Sequence, residues 1–408
     1  MSITLRIFLA LLAGLATGAV LPADWAKPVL AVSDPVGSLW LQALQMTIIP
    51  LIAGLLFTGI AQSVGEAGGG KVAGRAILAF FLLLVFSAGW SMIFVPLMLE
   101  FWPAPPEAAA AIVASSATKA VPEGVTGGID PGQWLLSLVP ANIFESLAKG
   151  DMLPVVLFIA AFALAATRLD ADRREQLVAL FDAVKDAMLV LVGWIFRLAP
   201  VGVFALALSV GLKAGLGAFG LLGHYIVVLV AVQVGLIILV YPLAVIFGSV
   251  GPLAFARAVL PAQAVAVSTQ SSIASLPAIV DGAERLGLPE TTSRVVLPLA
   301  VSVFRITSPC ANIAVVLYCG HLYGMDHSAL AFLGALLASL VAAVSTGGLP
   351  GSITFLAACV PIANAMGVPI AVLPILLAVE LVPDIFRTLG NVTADLAVTA
   401  MLSRNRES

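Results

Sequence analysis

Apolar runs long enough to cross a hydrocarbon slab recur along the chain, at roughly 3–22, 37–63, 77–100, 152–167, 186–211, 219–248, 295–318 and 368–402. Each reads as a membrane helix, because about 20 residues at 1.5 Å of rise span the ~30 Å of bilayer hydrocarbon. Two further stretches, about 253–285 and 330–365, are moderately apolar but broken by Ser, Thr, Gly and Pro. They read as re-entrant hairpins, since non-helical backbone at membrane depth survives only where protein or a watery cavity satisfies it. The pattern predicts an all-α polytopic membrane protein of eight transmembrane helices and two re-entrant helical hairpins. The last apolar run carries charges, so it has to face protein or water.

Composition agrees: 61% of the 408 residues are hydrophobic and 10% charged, where soluble domains carry about a quarter charged. The net charge of −3 excludes little, and no basic patch points to nucleic acid. The placement of cations says more. Lys71, Arg75, Arg168, Arg173, Arg174, Arg257, Arg285, Arg294, Arg404 and Arg406 fall on one side of the predicted membrane; Lys27, Lys119 and Lys213 fall on the other. The positive-inside rule then puts both termini in the cytoplasm of a cell whose inner membrane holds the protein. The first run, with an early Arg6, reads as a membrane helix rather than a cleaved signal. Cys310, Cys319 and Cys359 lie in or beside apolar runs and suggest neither a disulfide framework nor a metal site.

An Ala-, Pro- and Gly-rich loop, 102–132, separates the third and fourth spans. Each Ser/Gly-rich broken segment is followed by a long helix with an arginine, at Arg305 and then Arg387. Paired interrupted segments in a transporter point to a midplane binding site, which places function in residues 250–400.

In "AVELVPDIFRTLGNVTADLAV", residues 378–398, Glu380, Asp384, Arg387, Thr388, Asn391 and Asp395 follow one another at intervals of 4, 3, 1, 3 and 4. That spacing lines one face of a helix. Intramembrane ionisable groups face a pathway or pair with one another, so the stripe is either a ligand site or a salt-bridge ladder joining helices. Thr388 and Asn391 favour the site, because a ladder has no need of them. The segment "VSTQSSIASLP", 267–277, with Ser271 and Ser272, and "STGGLPGS", 345–352, with Gly348, Pro350 and Gly351, can offer free backbone N–H and C=O groups to an anion or a small cation.

The chain resembles the dicarboxylate/amino acid:cation symporters, the glutamate transporter family, over nearly its full length. The resemblance is carried by "LQMTIIPLIAGLLFTGIA", "ANIFESLAKGDMLPVVLF", "RLAPVGVFAL", "TQSSIASLP", "GGLPG" and "DIFRTLGNVTAD", in that order. It implies a homotrimer in which a static scaffold, residues 1–76 and 102–212, flanks a transport domain, residues 77–101 and 213–408. The transport domain carries substrate as an elevator, with the "GGLPG" hairpin as gate. It further implies that Asp384 holds a substrate amine and Arg387 its side-chain carboxylate. Asn391 and the Ser271–Ser272 backbone take the α-carboxylate, with Thr388, Ser308, Gly348, Pro350 and Gly351 completing the site. The planar fork of arginine suits a carboxylate. Acidic amino acids are the first substrate expected and C4-dicarboxylates the second, because a dicarboxylate without an amine leaves Asp384 unmatched.

One departure stands out. The family carries Asn-Met-Asp-Gly in its seventh span, and the matching positions here are Phe304, Arg305, Ile306 and Thr307. A hard cation needs oxygen ligands, which Phe304 and Ile306 side chains lack. "AFFLLLVF", 79–86, likewise puts apolar residues where the family has Tyr, Thr and Ser. Asp395 and Glu380 remain as a residual cation or proton site, and no metal site is otherwise expected. Arg305, roughly 15 Å into its apolar run, reads as a resident substitute for a bound cation. The alternatives are snorkelling to an interface, a structural pair with Glu380 or Asp395, or direct binding of a substrate carboxylate. Coupling to Na+ is expected to be weak or absent, with H+ on Glu380, Asp384 or Asp395 as the other coupling ion, or none. His224, His321 and His327 lie near span ends and read as interfacial groups. No cofactor is implied, and the arrangement is not that of an enzyme: no HExxH spacing is present, and Asp384 and Asp395 lie about three turns apart on one helix. An anion channel lined by Arg305 and Arg387 is the rival of another class.

Overall fold

The computed structural model describes residues 3–66, 71–115, 136, 139–149, 152–215, 217–345 and 351–403, and among them there is no strand. Among the described residues, five segments are long and apolar enough to cross a membrane: Asp24–Ala61, Gly74–Phe101, Ala171–Leu212, Gly217–Gly248 and Glu290–Leu322. The first three helices are α1 (Ile3–Val20), α2 (Ala23–Glu66) and α3 (Lys71–Phe101). Within the predicted loop, Pro106–Ser115 forms α4, and the remainder up to residue 135 lies outside the described residues. Next come α5 (Ile143–Lys149), α6 (Met152–Ala166), α7 (Ala171–Ala214) and α8 (Gly217–Gly248).

Both α2 and α7 have 44 residues, about 66 Å of helix and so about twice the hydrocarbon thickness. They pack on each other along their length, and α1 packs on α7. Small residues let these backbones approach, as membrane helix contacts require. A methyl group on Gly211 would stand 2.5 Å from the Leu15 carbonyl oxygen, and one on Gly18 would stand 2.5 Å from that of Leu208. Neither neighbour is a flexible side chain that can move aside. Gly211→Val is therefore expected to destabilise the protein by at least the ~1–3 kcal/mol of an overpacked core, read as a lower melting temperature in detergent.

A second group of helices surrounds α16 (Leu381–Ser403). α8 runs alongside it in the same direction, Tyr225 reaching Glu380 at one end and Gly248 meeting Ala400 at the other. The first predicted hairpin is α9 (Pro252–Thr269) and α10 (Ser272–Arg285). Its tip is made by Gln270, at φ +51°, and by Ser271, whose hydroxyl caps α10 by accepting the Ala274 N–H at 3.2 Å. The second is α13 (Ala329–Ser345) and α14 (Gly351–Ala365), which pack together. Its tip, with Gly348 and Pro350, falls outside the described residues, and Gly351 is placed as the first residue of α14.

Two expectations need correcting. The seventh apolar run is not one helix: α11 (Glu290–Val303) stops, Phe304 is extended at φ −88° and ψ 104°, and α12 (Thr307–Leu322) starts afresh. Arg305 therefore sits in the break and not on a helix face. The eighth run is interrupted too: a 3-10 turn at Ile370–Val372 leads into α15 (Leu373–Leu377), and residues 378–380 form a turn before α16. Glu380 is thus not on the helix of the polar stripe, although its carbonyl accepts the Asp384 N–H at 2.9 Å. Apolar composition has no term for such breaks: buried side chains satisfy backbone groups freed at 306 and 307, and backbone bonds reaching three residues back do so at 378–380.

Candidate functional site

The α11–α12 break is fastened to the middle of α16. The Thr307 N–H donates to Asn391 Oδ1 at 3.0 Å, and the Thr307 hydroxyl lies 2.8 Å from both that oxygen and the Arg387 carbonyl. Gly390 permits this contact, since a β-carbon there would collide with the Thr307 methyl. From α3, the Ser87 hydroxyl donates to the Ile306 carbonyl. The Phe304 ring, 1% exposed, stacks on Phe80 with centroids 4.7 Å apart. The break is therefore filled by an aromatic pair and a satisfied carbonyl. Its side chains offer a hard cation no oxygen at positions 304 and 306.

Arg387 is the hub of the site. Its Nη2 pairs with Glu380 Oε1, its Nη1 donates to Asn312 Oδ1 at 2.7 Å, and its Nε stands 3.7 Å from Asp384 Oδ1. Glu380 Oε2 receives the Tyr225 hydroxyl at 3.4 Å, and Asn312 Nδ2 donates to Ser308 Oγ at 3.2 Å. The Thr388 hydroxyl turns back onto the Asp384 carbonyl at 3.0 Å, so it supports the helix more than it faces a ligand. Part of the stripe is thus a ladder, as its spacing allowed. The ladder is incomplete, and the gaps are polar: Arg387 Nε, Asn391 Nδ2, Ser272 Oγ and both carboxylate oxygens of Asp395 are buried without a hydrogen-bond partner among the described residues. Asp395 is wholly buried. An unmet buried carboxylate is costly unless a charge is near.

That charge is Arg305. The break abuts Gly390 and Asn391, midway along α16 between Asp384 and Asp395, and the half-buried Arg305 guanidinium lies in electrostatic range of both carboxylates and of Arg387. The first hairpin packs on α16 as well. Gln263 Nε2 donates to Thr393 Oγ1 at 2.9 Å, and α9 runs on from there toward Arg387 for another turn and a half before the Ser271–Ser272 tip.

The structure thus gathers Asp384, Arg387, Asn391, Glu380, Ser308 and Arg305, with Asp395 one turn beyond. Asn312 and Tyr225 are functional candidates that sequence reasoning missed. Asn312 carried one signal, a lone amide in the otherwise apolar "PCANIAVVLY"; Tyr225 carried none. His224 and His321 bond elsewhere, around Trp102 and Ala104.

Helices of spanning length around a buried, partly unsatisfied cluster of carboxylates and guanidiniums define an integral membrane protein that handles charged solutes. The model of the sodium:dicarboxylate symporter family matches residues 3–405, and the chain belongs to that family. It is 27% identical to the proton/sodium-glutamate symport protein of Bacillus subtilis (strain 168), over 98% of this chain and 91% of that one. Against the proton/glutamate-aspartate symporter of Escherichia coli (strain K12) the identity is 27% over 99% and 92%. Against the C4-dicarboxylate transport protein of Anaeromyxobacter sp. (strain K) it is 27% over 99% and 89%. The protein is a transporter and not an enzyme.

Proposed function

We propose that this protein is an elevator-type carrier of acidic amino acids in the bacterial inner membrane, assembled as a homotrimer of eight-span, two-hairpin protomers with cytoplasmic termini. Its coupling to sodium is weak because Arg305 is a resident cation. The α1–α2–α7 group corresponds to the scaffold and the group around α16 to the moving body. Asp384 takes the substrate amine, and Arg387 its distal carboxylate through Nε, which makes no hydrogen bond and stands 3.7 Å from Asp384 Oδ1. Asn391 and the Ser271–Ser272 tip take the α-carboxylate, and the tip of the second hairpin, with Gly348, Pro350 and Gly351, closes over them.

The observation that carries this reading is the Phe80–Phe304 stack filling the α11–α12 break, with Arg305 in that break and in electrostatic range of Asp384 and Asp395. A tethered cation balances charge in the site but cannot be released, so it stabilises without coupling. Glu380, Asp384 and Asp395 outnumber Arg305 and Arg387 by one, and an acidic amino acid adds another negative charge. A proton on one of the three carboxylates is the simplest relief, because burial disfavours their charged forms.

Labelled aspartate uptake into proteoliposomes tests this, under an inward sodium gradient, with choline instead, and with an inward proton gradient. Equal uptake in sodium and choline, raised by the proton gradient, is expected. Strict sodium dependence would mean that Asp395 and nearby carbonyls still bind the ion, and would sink the resident-cation reading.

One observation favours a second substrate. Arg305 lies in range of Asp384, so a C4-dicarboxylate lacking an amine need not leave that carboxylate unmatched. Competition by succinate as strong as that by aspartate would support it.

A further inference from the structure

His327 lies in the connection 323–328 between α12 and α13, outside the spanning segments and apart from the substrate site. Two helix ends meet there. α12 closes on Gly324, at φ +64°, and the Met325 N–H reaches back to the Gly320 carbonyl at 3.0 Å, which turns the chain over the last turn of α12. α14 closes in the same way on Gly367, at φ +68°, with the Val368 N–H on the Ala363 carbonyl at 2.8 Å. The His327 ring and Val368 come together above Gly320, where a β-carbon would collide with His327 Nε2 and stand 3.5 Å from Val368 Cγ2. The bare Cα of Gly320 is the floor of the ring's seat. Ser328 caps α13, its hydroxyl accepting the Ala331 N–H at 3.2 Å. His327, just before that cap, packs edge-on against Phe332 with centroids 6.1 Å apart, the place and partner of a hydrophobic staple.

A staple residue is ordinarily apolar, and this one can be charged. Both ring nitrogens are buried, and neither has a hydrogen-bond partner among the described residues. A neutral imidazole leaves one N–H unmet in that seat; an imidazolium leaves two, and an uncompensated charge with them. Burial holds the ring's pKa below the usual histidine value, with the neighbouring Asp326 opposing the shift. The residue as a whole is half-buried, so the ring has a short way to water.

Few groups can offset a charge there. Neither α13 nor the connection 366–372 carries an ionisable residue. The end of α12 offers the buried thiol of Cys319 and His321, whose Nε2 accepts the Ala104 N–H. The connection itself offers Tyr323 and Asp326, the latter at an exposed position.

We propose that His327 is an acid-released latch on the second hairpin: its neutral ring pins the start of α13 and the chain after α14 to the end of α12, and its protonation frees both. Out of the seat the imidazole titrates near the ordinary ~6.5; in the seat it titrates lower. The released state therefore binds more protons between those two values. The latch is closed well above about pH 6.5 and is lost as the pH falls below it, by about tenfold per unit until the seated ring itself takes a proton. The cation placement that assigns Arg285 and Arg294 to the cytoplasm assigns 323–328 to the outer face, where a proton-driven carrier loads. The latch then loosens the hairpin that closes over substrate on the proton-rich side; this last step rests on the proposed carrier, and the latch does not.

Hydrogen–deuterium exchange of the full-length protein in nanodiscs of uncharged lipid tests this from about pH 8 to 5, the range in which histidine changes charge. Rates are corrected for the pH dependence of chemical exchange. In wild type, peptides covering 323–332 and 363–369 are expected to lose protection below about pH 6.5 while those of α1 keep theirs. His327→Leu keeps an apolar staple that cannot charge, and its protection is expected to be the same at every pH. Gly320→Ala fills the ring's seat with a good helix former, and at the neutral end of the range it is expected to exchange as wild type does at the acid end. Wild-type protection that does not change with pH, or a loss that persists in His327→Leu, overturns the latch. So does a loss shared by α1, which is acid unfolding of the whole molecule. Should His327→Leu not fold, wild-type protection of Gly320→Ala at neutral pH overturns it instead. Uptake measured alongside separates the two claims: a pH profile of uptake identical in wild type and His327→Leu would deny the latch a part in transport while the exchange result upholds the latch itself.

Discussion

Arg387→Ala is expected to abolish specific uptake, with a fall of more than about 100-fold at saturating substrate and no substrate-protected fraction in binding assays. The guanidinium does two things at once. It presents Nε to the site, and it neutralises Glu380, which is 1% exposed and also accepts a 3.4 Å hydrogen bond from the Tyr225 hydroxyl. Removing one member of a buried pair strands the other, at a cost of about 3–5 kcal/mol of stability, while the fall in uptake comes from losing a charged partner of the substrate carboxylate, worth about 2–5 kcal/mol. Arg387→Ala/Glu380→Gln removes the stranded charge and is expected to regain the melting temperature of wild type but not its uptake. Thermal stability and uptake of the two variants, compared side by side, distinguish a ligand group from a purely structural one. Recovery of uptake in the double variant would show that Arg387 does not touch substrate.

Arg305→Met is expected to weaken aspartate binding at least about tenfold in sodium-free buffer, because Asp384 and Asp395 lose a cation from a low-dielectric site. Asp395 feels the loss most, having no hydrogen bond to fall back on among the described residues. Arg305→Met/Asp395→Asn is then expected to bind better than Arg305→Met alone, the sign of coupling between neighbours in one charge network. Isothermal titration at several sodium concentrations makes the comparison. Affinity unchanged by Arg305→Met at every sodium concentration would remove the resident-cation account, whereas affinity restored by sodium in Arg305→Met would show the metal entering where the guanidinium had been.

Much of the molecule was legible before any coordinates. The polar stripe of Asp384, Arg387, Asn391 and Asp395 declared itself, because ionisable groups in an apolar run are expensive and therefore placed for a reason. The hairpin at 270–271 was legible from its serines, which cap and turn the chain without needing a helix around them. What misled was continuity. The run through Arg305 and the run through Glu380 each read as one helix, since their composition is uniformly apolar. The break at 304–306 is maintained by distant groups, Ser87 on the Ile306 carbonyl and Asn391 on the Thr307 N–H, and the turn at 378–380 by short-range backbone bonds to Ile375, Leu376 and Leu377. Asn312 was missed for a related reason: its partner Arg387 lies 75 residues away in sequence.

By itself, the sequence determined that this is a helical membrane protein with a charged site in its last third, that it resembles carriers of acidic solutes, and that an arginine and two apolar residues stand where that resemblance implies cation ligands. Hydropathy, charge placement and residue chemistry are local properties and need no third dimension. Only the tertiary structure decided which polar groups meet, Arg387 with Glu380 and Asn312 and His224 with Trp102 and Tyr318, and brought Arg305 into electrostatic range of Asp384 and Asp395. Electrostatic and hydrogen-bond energies fall steeply with distance and depend on burial. They exist only after packing has brought remote segments within a few ångströms.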